Sequence, residues 1–204
     1  MRLHRIGKEY EERVTLRTRF FPLELLRPGG PSRPLLEQEW WLAAIQEPAA
    51  AFAPYPVSDW PTTTLPAFGA AWAARNQGHA IGMDYDLRVR RAFFGEGRNI
   101  GRPEILRDIA REASLDMPRF QQDVGSQEAR AAVVEESRIG REQFSVHGTP
   151  TLTLADGTHL KLPIAIPRIQ AHRIVAIAPL ECVGEACSDS LRALFERALV
   201  GVQP

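Results

Sequence analysis

The sequence of 204 residues has little cysteine, no excess charge of either sign and no long apolar run. Its 25 basic and 25 acidic residues cancel, which excludes a basic footprint spread over the whole surface, although it leaves a local patch open. The longest apolar run, Ile174 to Leu180, is far shorter than the roughly 18 residues that cross a bilayer. We therefore expect neither a nucleic acid nor a membrane as a partner.

Two cysteines, Cys182 and Cys187, cannot staple a chain of this size, so the fold must rest on its own hydrophobic core. The N-terminus is charged from Arg2 onward and has no apolar segment of the kind found in secretory signals. If Met1 is the natural start, the expected location is the cytoplasm.

Most motifs that carry enzyme chemistry are also missing. There is no G-x-S-x-G, no Walker loop, no H-E-x-x-H and no EF-hand loop. A zinc site built from Cys182, Cys187, His159 and His172 is conceivable, but structural zinc sites show tighter paired spacings. We therefore expect no metal and no other cofactor.

The patterns along the chain predict a helix over 2–12 and then a strand over 13–21. In that strand Val14, Leu16, Thr18 and Phe20 alternate with polar residues. A short helix around 35–45 and a proline-rich extended segment follow. Four or five consecutive helices then occupy 65–143, with Asp116 and Ser126 as N-caps of two of them.

Strand character returns after this helical block. The run 149–154 is separated from 159–162 by a segment containing Asp156 and Gly157, which predicts a β-hairpin. Residues 173–177 are a further possible strand, and the last helix follows, with Ser188 as its expected N-cap. The order helix, strand, helical block, hairpin, helix indicates an α/β or α+β core with helices inserted in its middle.

The segment Gly148-Thr149-Pro150-Thr151 places a proline at the entrance to a strand, where it removes a ladder donor. A cis peptide bond is one reason for such a placement. A Gly-Thr-Pro-Thr segment before a hairpin and a final helix resembles the cis-proline loop of thioredoxin-fold proteins.

The resemblance extends to the helical block and to the predicted strand. The runs Arg91–Gly101 and Ile105–Asp116 look like the helical insertion of DsbA-like, FrnE-type oxidoreductases, and Arg19–Leu23 resembles the end of the second core strand. This resemblance implies an α/β, thioredoxin-like core formed by 1–64 and 144–204, with a helical subdomain over 65–143 inserted into it.

By this resemblance the function is thiol–disulfide exchange of the DsbA type, and Thr149 and Pro150 match the loop that offers backbone groups to a substrate peptide. The family carries its chemistry on a Cys-x-x-Cys motif between its first strand and first helix. No residue here matches that motif, so no catalytic residue can be carried over. The resemblance implies a protein-disulfide oxidoreductase, and the absence of the motif leaves open that the chain as given is inactive.

The first core strand is missing together with the motif, and the hydrogen bonds and apolar contacts of such a central strand are worth on the order of 10 kcal/mol. One hypothesis is that Met1 is an internal start and that the natural protein begins about 20 residues upstream, by comparison with the family. Another is that 173–177, or a strand of a partner chain, fills the place.

Cys182 and Cys187 allow three interpretations: a small disulfide or two reduced thiols, a redox pair whose Cys187 is activated by the following helix, and a metal site. The alternatives for function are a glutathione-dependent isomerase or kappa-class transferase, and a peptide-binding module without catalysis. The partner is expected to be a thiol or disulfide protein, or a glutathione-type substrate, and a homodimer is left open.

Overall fold

The structure is a computed structural model that describes residues 2–26, 32–160, 162, 164–165, 167–171, 173–180 and 182–200. Within these residues the helices are α1 Arg2–Glu9, α2 Arg33–Gln46, α3 Leu65–Arg75, α4 His79–Phe94, α5 Pro103–Glu112, α6 Met117–Val124, α7 Gln127–Glu142 and α8 Ala186–Val200. The strands are β1 Leu152–Thr153, β2 His159–Leu160, β3 Pro167–Gln170 and β4 Arg173–Ile177.

The predicted helical block is confirmed as α3 to α7, and local sequence explains where its helices begin. The carboxylate of Asp116 accepts the backbone N–H of Arg119 at 3.2 Å, and the hydroxyl of Ser126 accepts that of Ala129 at 3.0 Å. Each cap satisfies a donor that the first helical turn leaves without an intrahelical partner. Pro103 begins α5, where its missing N–H costs no hydrogen bond.

The strands form two separate antiparallel pairs. β1 pairs with β2 in the predicted hairpin, with Leu152 opposite Leu160. β4 pairs with β3, which the sequence analysis did not predict, with Gln170 opposite Arg173. The hypothesis that 173–177 fills a central place between 13–21 and the hairpin is therefore wrong, because β4 hydrogen-bonds to its neighbour in the sequence.

The strand predicted over 13–21 is also wrong as a paired strand. Residues 14–22 form neither helix nor strand, and the burial of 14–20 alternates as the sequence indicates, but they belong to no β-ladder within the described residues. Side chains take the place of a neighbouring strand at two of their backbone groups. The N–H of Phe20 donates to Oε2 of Glu136 at 2.9 Å, and the carbonyl of Thr18 accepts from Arg75 at 3.1 Å.

The chain divides into two compact units. One consists of Met1–Arg17, Ser32–Ala50 and Gly148–Pro204, and the other of Thr18–Pro31 and Ala51–His147. The second unit therefore contains the predicted insertion over 65–143 and, in addition, 18–31 and 51–64. We call the first of these units the core unit and the second the helical unit.

Each unit has its own apolar interior. In the core unit, buried side chains of α1, of the residue that follows it, of β2 and of α8 form one cluster: Ile6, Tyr10, Leu160, Leu191, Leu194 and Phe195. In the helical unit, the alanines of α3 are buried. They lie in the interior of the unit with larger buried side chains, which include Tyr85, Phe93, Leu106, Ile109, Phe120 and Val133. Among the described residues, no helix combines the length and the apolar character needed to span a bilayer.

Candidate functional site

The loop 148–151 leads directly into β1, and the peptide bond between Thr149 and Pro150 is cis. Both residues are exposed. The hydroxyl of Thr151 donates to the carbonyl of Gly148 at 2.7 Å, which closes the loop on itself. Thr149 is left on the outer surface of this turn, and no described residue hydrogen-bonds to its backbone N–H or carbonyl.

The hairpin that follows holds this loop in place. Leu152 and Leu154 pack against the apolar cluster of the core unit, to which β2 contributes Leu160. At the far end of the hairpin, the carboxylate of Asp156 accepts the N–H of Thr158 at 2.8 Å. Hydrogen bonds from Thr158 lower the pKa of the Asp156 carboxyl. The loop therefore extends from a hairpin that is anchored by apolar packing along its length.

Cys182 and Cys187 are joined by a disulfide, with their Cα atoms 5.2 Å apart. The side chain of Cys187 is only 1% exposed, whereas Cys182 is half-buried. Of the three interpretations of this pair, the structure shows the disulfide. A redox role for it stays a prediction.

The expected N-cap at Ser188 is wrong, because α8 begins at Ala186 and contains both Cys187 and Ser188 in its first turn. The N–H of Ser188 donates to the carbonyl of Glu185 at 2.8 Å, and that of Cys187 donates to the carbonyl of Gly184 at 3.2 Å. The helix therefore starts one turn earlier than the serine suggests.

The structure adds one residue that the sequence analysis missed. Nη2 of Arg5 in α1 donates to Oε1 of Glu185 and to the hydroxyl of Ser188, both at 2.9 Å. The guanidinium thus lies on the first turn of α8, beside the disulfide in the chain. No local pattern could have revealed this contact, because almost the whole sequence separates its two sides.

The zinc site considered from the sequence would use both cysteine sulfurs, which are bonded to each other here. Its His172 lies outside the described residues, and His159 is in β2. In the described part of the chain, no group of three or more histidine, cysteine, aspartate or glutamate side chains is arranged to hold a metal ion.

The two candidate sites share one support. The Thr149–Pro150 loop is attached to the apolar cluster through Leu152, and the disulfide is attached to it through Leu191 of α8. A hairpin preceded by a cis-proline loop and packed on a C-terminal helix is the arrangement of a thioredoxin-like protein. The chain belongs to the thioredoxin family, because the family described as thioredoxin matches residues 58–175, more than half of its length.

Solved structures support the same fold. The chain is similar to a proposed protein disulfide isomerase from Nitrosomonas europaea, with a TM-score of 0.63, 15% identity, and coverage of 99% of this chain and 90% of that one. It is also similar to the cytosolic disulfide reductase DsbM from Pseudomonas aeruginosa with GSH, with a TM-score of 0.50, 22% identity, and coverage of 68% and 59%. The predicted thioredoxin-like α/β fold with inserted helices is confirmed.

A curated relative is the ClpXP adapter protein SpxH of Bacillus subtilis strain 168, which is 28% identical over 113 residues. The match takes in 55% of this chain and 38% of the relative. The chain thus matches well under half of the length of that protein.

Proposed function

We propose that this protein is a DsbA-like thiol–disulfide oxidoreductase of the FrnE type, and that the Thr149–Pro150 loop binds the peptide backbone of its thiol- or disulfide-bearing substrate. The observation that carries the proposal is the exposed Thr149 at the entrance to β1, in a thioredoxin-family core, with both backbone polar groups open to a ligand.

The physical basis is the addition of an extended peptide to exposed backbone. An N–H and a carbonyl on one residue can form a pair of hydrogen bonds with a peptide that lies antiparallel to it. Such bonds recognise any extended main chain, so the loop suits a class of substrates that share a cysteine and differ elsewhere. Glutathione, a short peptide that carries a thiol, belongs to the same chemical class.

Two alternatives keep specific support. The similarity to DsbM with GSH favours a glutathione-dependent isomerase or kappa-class transferase. The similarity to an adapter protein favours a module that binds proteins without catalysis. All three functions use a peptide-binding loop, and they differ in what happens to sulfur after binding.

The binding loop can be tested on the chain as it stands with a matched pair of variants. Thr149→Arg places a long charged side chain on the exposed loop, and Thr158→Arg does the same at the opposite end of the hairpin. Titration with glutathione and with an S-methylated cysteine peptide, followed by NMR or calorimetry, measures binding. We expect Thr149→Arg to weaken binding by about tenfold, a loss of about 1.4 kcal/mol, and Thr158→Arg to bind as the wild type does.

Equal binding by wild type and Thr149→Arg would remove the loop from the proposal. Turnover in insulin reduction and in dithiol oxidation then separates the three functions. Dithiol oxidation that Thr149→Arg slows and Thr158→Arg does not supports the DsbA-like enzyme, glutathione binding without such oxidation supports the glutathione-dependent enzyme, and peptide binding alone supports the module.

We also propose a cytoplasmic location, which the resemblance to a cytosolic disulfide reductase supports. Fractionation of cells that produce the natural protein tests it, and recovery from an extracytoplasmic compartment would contradict it. Whether the chain pairs with a second copy of itself is also open, and the molar mass from light scattering of the purified chain distinguishes a monomer from a homodimer.

A further inference from the structure

We propose that the Cys182–Cys187 disulfide is a reversible thiol–disulfide site separate from the Thr149–Pro150 loop, in which Cys182 is the sulfur attacked by an incoming thiol and Cys187 is the leaving thiolate. The site needs no contribution from the Thr149–Pro150 loop. It is defined by the disulfide at the first turn of α8 and by Arg5, which binds that turn.

The unequal burial of the two cysteines assigns their roles. Cys187 is almost fully buried, whereas Cys182 is half-buried. Val183, which follows Cys182, is 48% exposed, and apart from the chain neighbours of Gly184 nothing lies within 4 Å of the place where its Cβ would be. Of the two cysteines, Cys182 is therefore the one that a thiolate in solution reaches more easily.

The place of Cys187 in the helix favours its departure as a thiolate. It is the second residue of α8, a helix of 15 residues, so it lies at the positive end of the helix dipole. The dipole stabilises a thiolate at this end of the helix, which favours Cys187 over Cys182 as the leaving sulfur.

Arginines pair with the acidic groups that would oppose a thiolate at this turn. Glu185 pairs with Arg5 at 2.9 Å. Asp189 pairs at 2.9 Å with Arg192, which also binds Glu9 at 2.7 Å. Two guanidinium groups are thus paired with three carboxylates near the start of α8, and the charge of Arg5 is fixed at the first turn by its second bond to the buried Ser188.

The exchange is balanced with thiols as the only co-reactant. A thiolate RS⁻ attacks Sγ of Cys182, the S–S bond to Cys187 breaks, and a mixed disulfide on Cys182 forms while Cys187 leaves with the electron pair. A second thiolate attacks the R sulfur and releases Cys182. Two thiols are oxidised to RSSR, the disulfide is reduced to two thiols, and their two protons end on the cysteine sulfurs. In the proposed cytoplasmic location, such reversible disulfides are commoner than permanent ones.

The roles of the two sulfurs can be tested with single-cysteine variants of the full chain. We expect Cys182 in Cys187→Ser to form a mixed disulfide with oxidised glutathione at least about tenfold faster than Cys187 in Cys182→Ser, because only Cys182 is accessible. The rates are followed by mass spectrometry, and in denaturant they should become similar. Equal rates in the folded chain would overturn the assignment.

Reversibility is tested on the wild-type chain by equilibration in glutathione buffers, with the ratio of disulfide to dithiol measured after alkylation. We expect the folded chain to be reduced as the buffer becomes reducing and to reoxidise when the ratio is reversed, with its circular dichroism unchanged. A disulfide that stays oxidised in a large excess of reduced glutathione until the chain unfolds would show a permanent staple and overturn the proposal.

Arg5 is a positioning residue in this scheme, and a matched set of variants tests it. Arg5→Gln removes a charge that favours the thiolate, so we expect the equilibrium to shift toward the disulfide by about twofold to fivefold. Arg5→Lys should restore most of the wild-type ratio. Arg13→Gln is the control, because it removes an exposed arginine that pairs with Glu196, farther along α8, at 4.0 Å. This variant should leave the ratio of disulfide to dithiol unchanged. An equal shift in Arg5→Gln and Arg13→Gln would exclude Arg5 from the site.

Discussion

Nη2 of Arg75 lies 2.5 Å from Oε1 of Glu136, and this ion pair joins α3 to α7 within the helical unit. The same arginine donates to the carbonyl of Thr18 at 3.1 Å, and its guanidinium carbon lies 4.4 Å from the ring centre of Phe20. Glu136 in turn accepts the N–H of Phe20. One pair of side chains thus holds an extended segment without a strand partner onto two helices.

We therefore expect Arg75→Met to lower the free energy of unfolding by about 2 kcal/mol, because the largely buried Glu136 would keep only the exposed Arg19, at 3.3 Å, as a charged partner. The side chain of Glu136 is 12% exposed. Arg138→Met is the matched control, since Arg138 forms exposed pairs with Glu135 and Glu142 on its own helix and should cost less than about 1 kcal/mol. Urea unfolding measures both, and equal losses would mean that the network adds nothing to an ordinary surface pair.

Stability should fall at alkaline pH through Tyr85. Its hydroxyl is buried and donates to the carbonyl of Leu106 at 3.1 Å. Burial, with a smaller contribution from the charge of Asp86, raises the pKa of Tyr85 well above its ordinary value of 10. The unfolded chain loses this proton near pH 10 and the folded chain keeps it. The stabilisation is therefore complete below pH 10 and is lost above it, by up to about 1.4 kcal/mol per pH unit.

Tyr85→Phe removes this titration and should make the unfolding free energy less steep between about pH 10 and 11. At neutral pH it should cost about 1 kcal/mol through the lost hydrogen bond. Identical pH profiles for the two proteins would show that Tyr85 does not keep its proton in the folded chain.

Gly82 allows the close approach of α3 and α4. A Cβ at this position would lie 2.6 Å from the Cα of Arg75, which is backbone and cannot rotate away. We expect Gly82→Ala to destabilise the protein by about 1–3 kcal/mol, although alanine is the better helix former by about 1 kcal/mol. Gly125→Ala is the control, because nothing lies within 4 Å of its added carbon. Thermal unfolding compares the two, and a more stable Gly82→Ala would contradict the packing.

The N-cap of α7 should contribute in the ordinary range for such a residue. Ser126→Ala removes the acceptor for the N–H of Ala129, and we expect a loss of about 1 kcal/mol in the free energy of unfolding. Ser126→Asp supplies another acceptor at the same place and should retain most of the stability. A Ser126→Ala protein that is as stable as the wild type would indicate that water replaces the cap.

The features whose causes are local could be located from the sequence. Ser126 and Asp116 could be assigned as caps because a cap needs only its own hydroxyl or carboxylate and the next helical turn. The same reasoning failed at Ser188, since the turn at Gly184 starts α8 earlier and a serine inside the first turn resembles a cap in sequence. The contact between Arg5 and Ser188 has no local signature at all.

The segment from Val14 to Phe20 shows the same limit for strands. The alternation correctly predicted which residues are more buried than their neighbours: Phe20 is buried, and the other residues on its side are half-buried between exposed polar ones. Pairing is a separate property, because it depends on backbone groups elsewhere in the chain, and the nearest partners of Thr18 and Phe20 are the side chains of Arg75 and Glu136. The exposure of Thr149 likewise depends on tertiary packing that its neighbours in the sequence do not encode.

The apolar cluster of the core unit has a consequence for how the protein is made. Ile6 and Tyr10 are translated well before their packing partners Leu191 and Phe195, which lie about 185 residues further along the chain. Because α1 is too short to be stable alone, it must wait for α8 to be synthesised before it can dock. Synthesis that stops before α8 would leave α1 without a place to fold, and such products should be targets for chaperones and proteases.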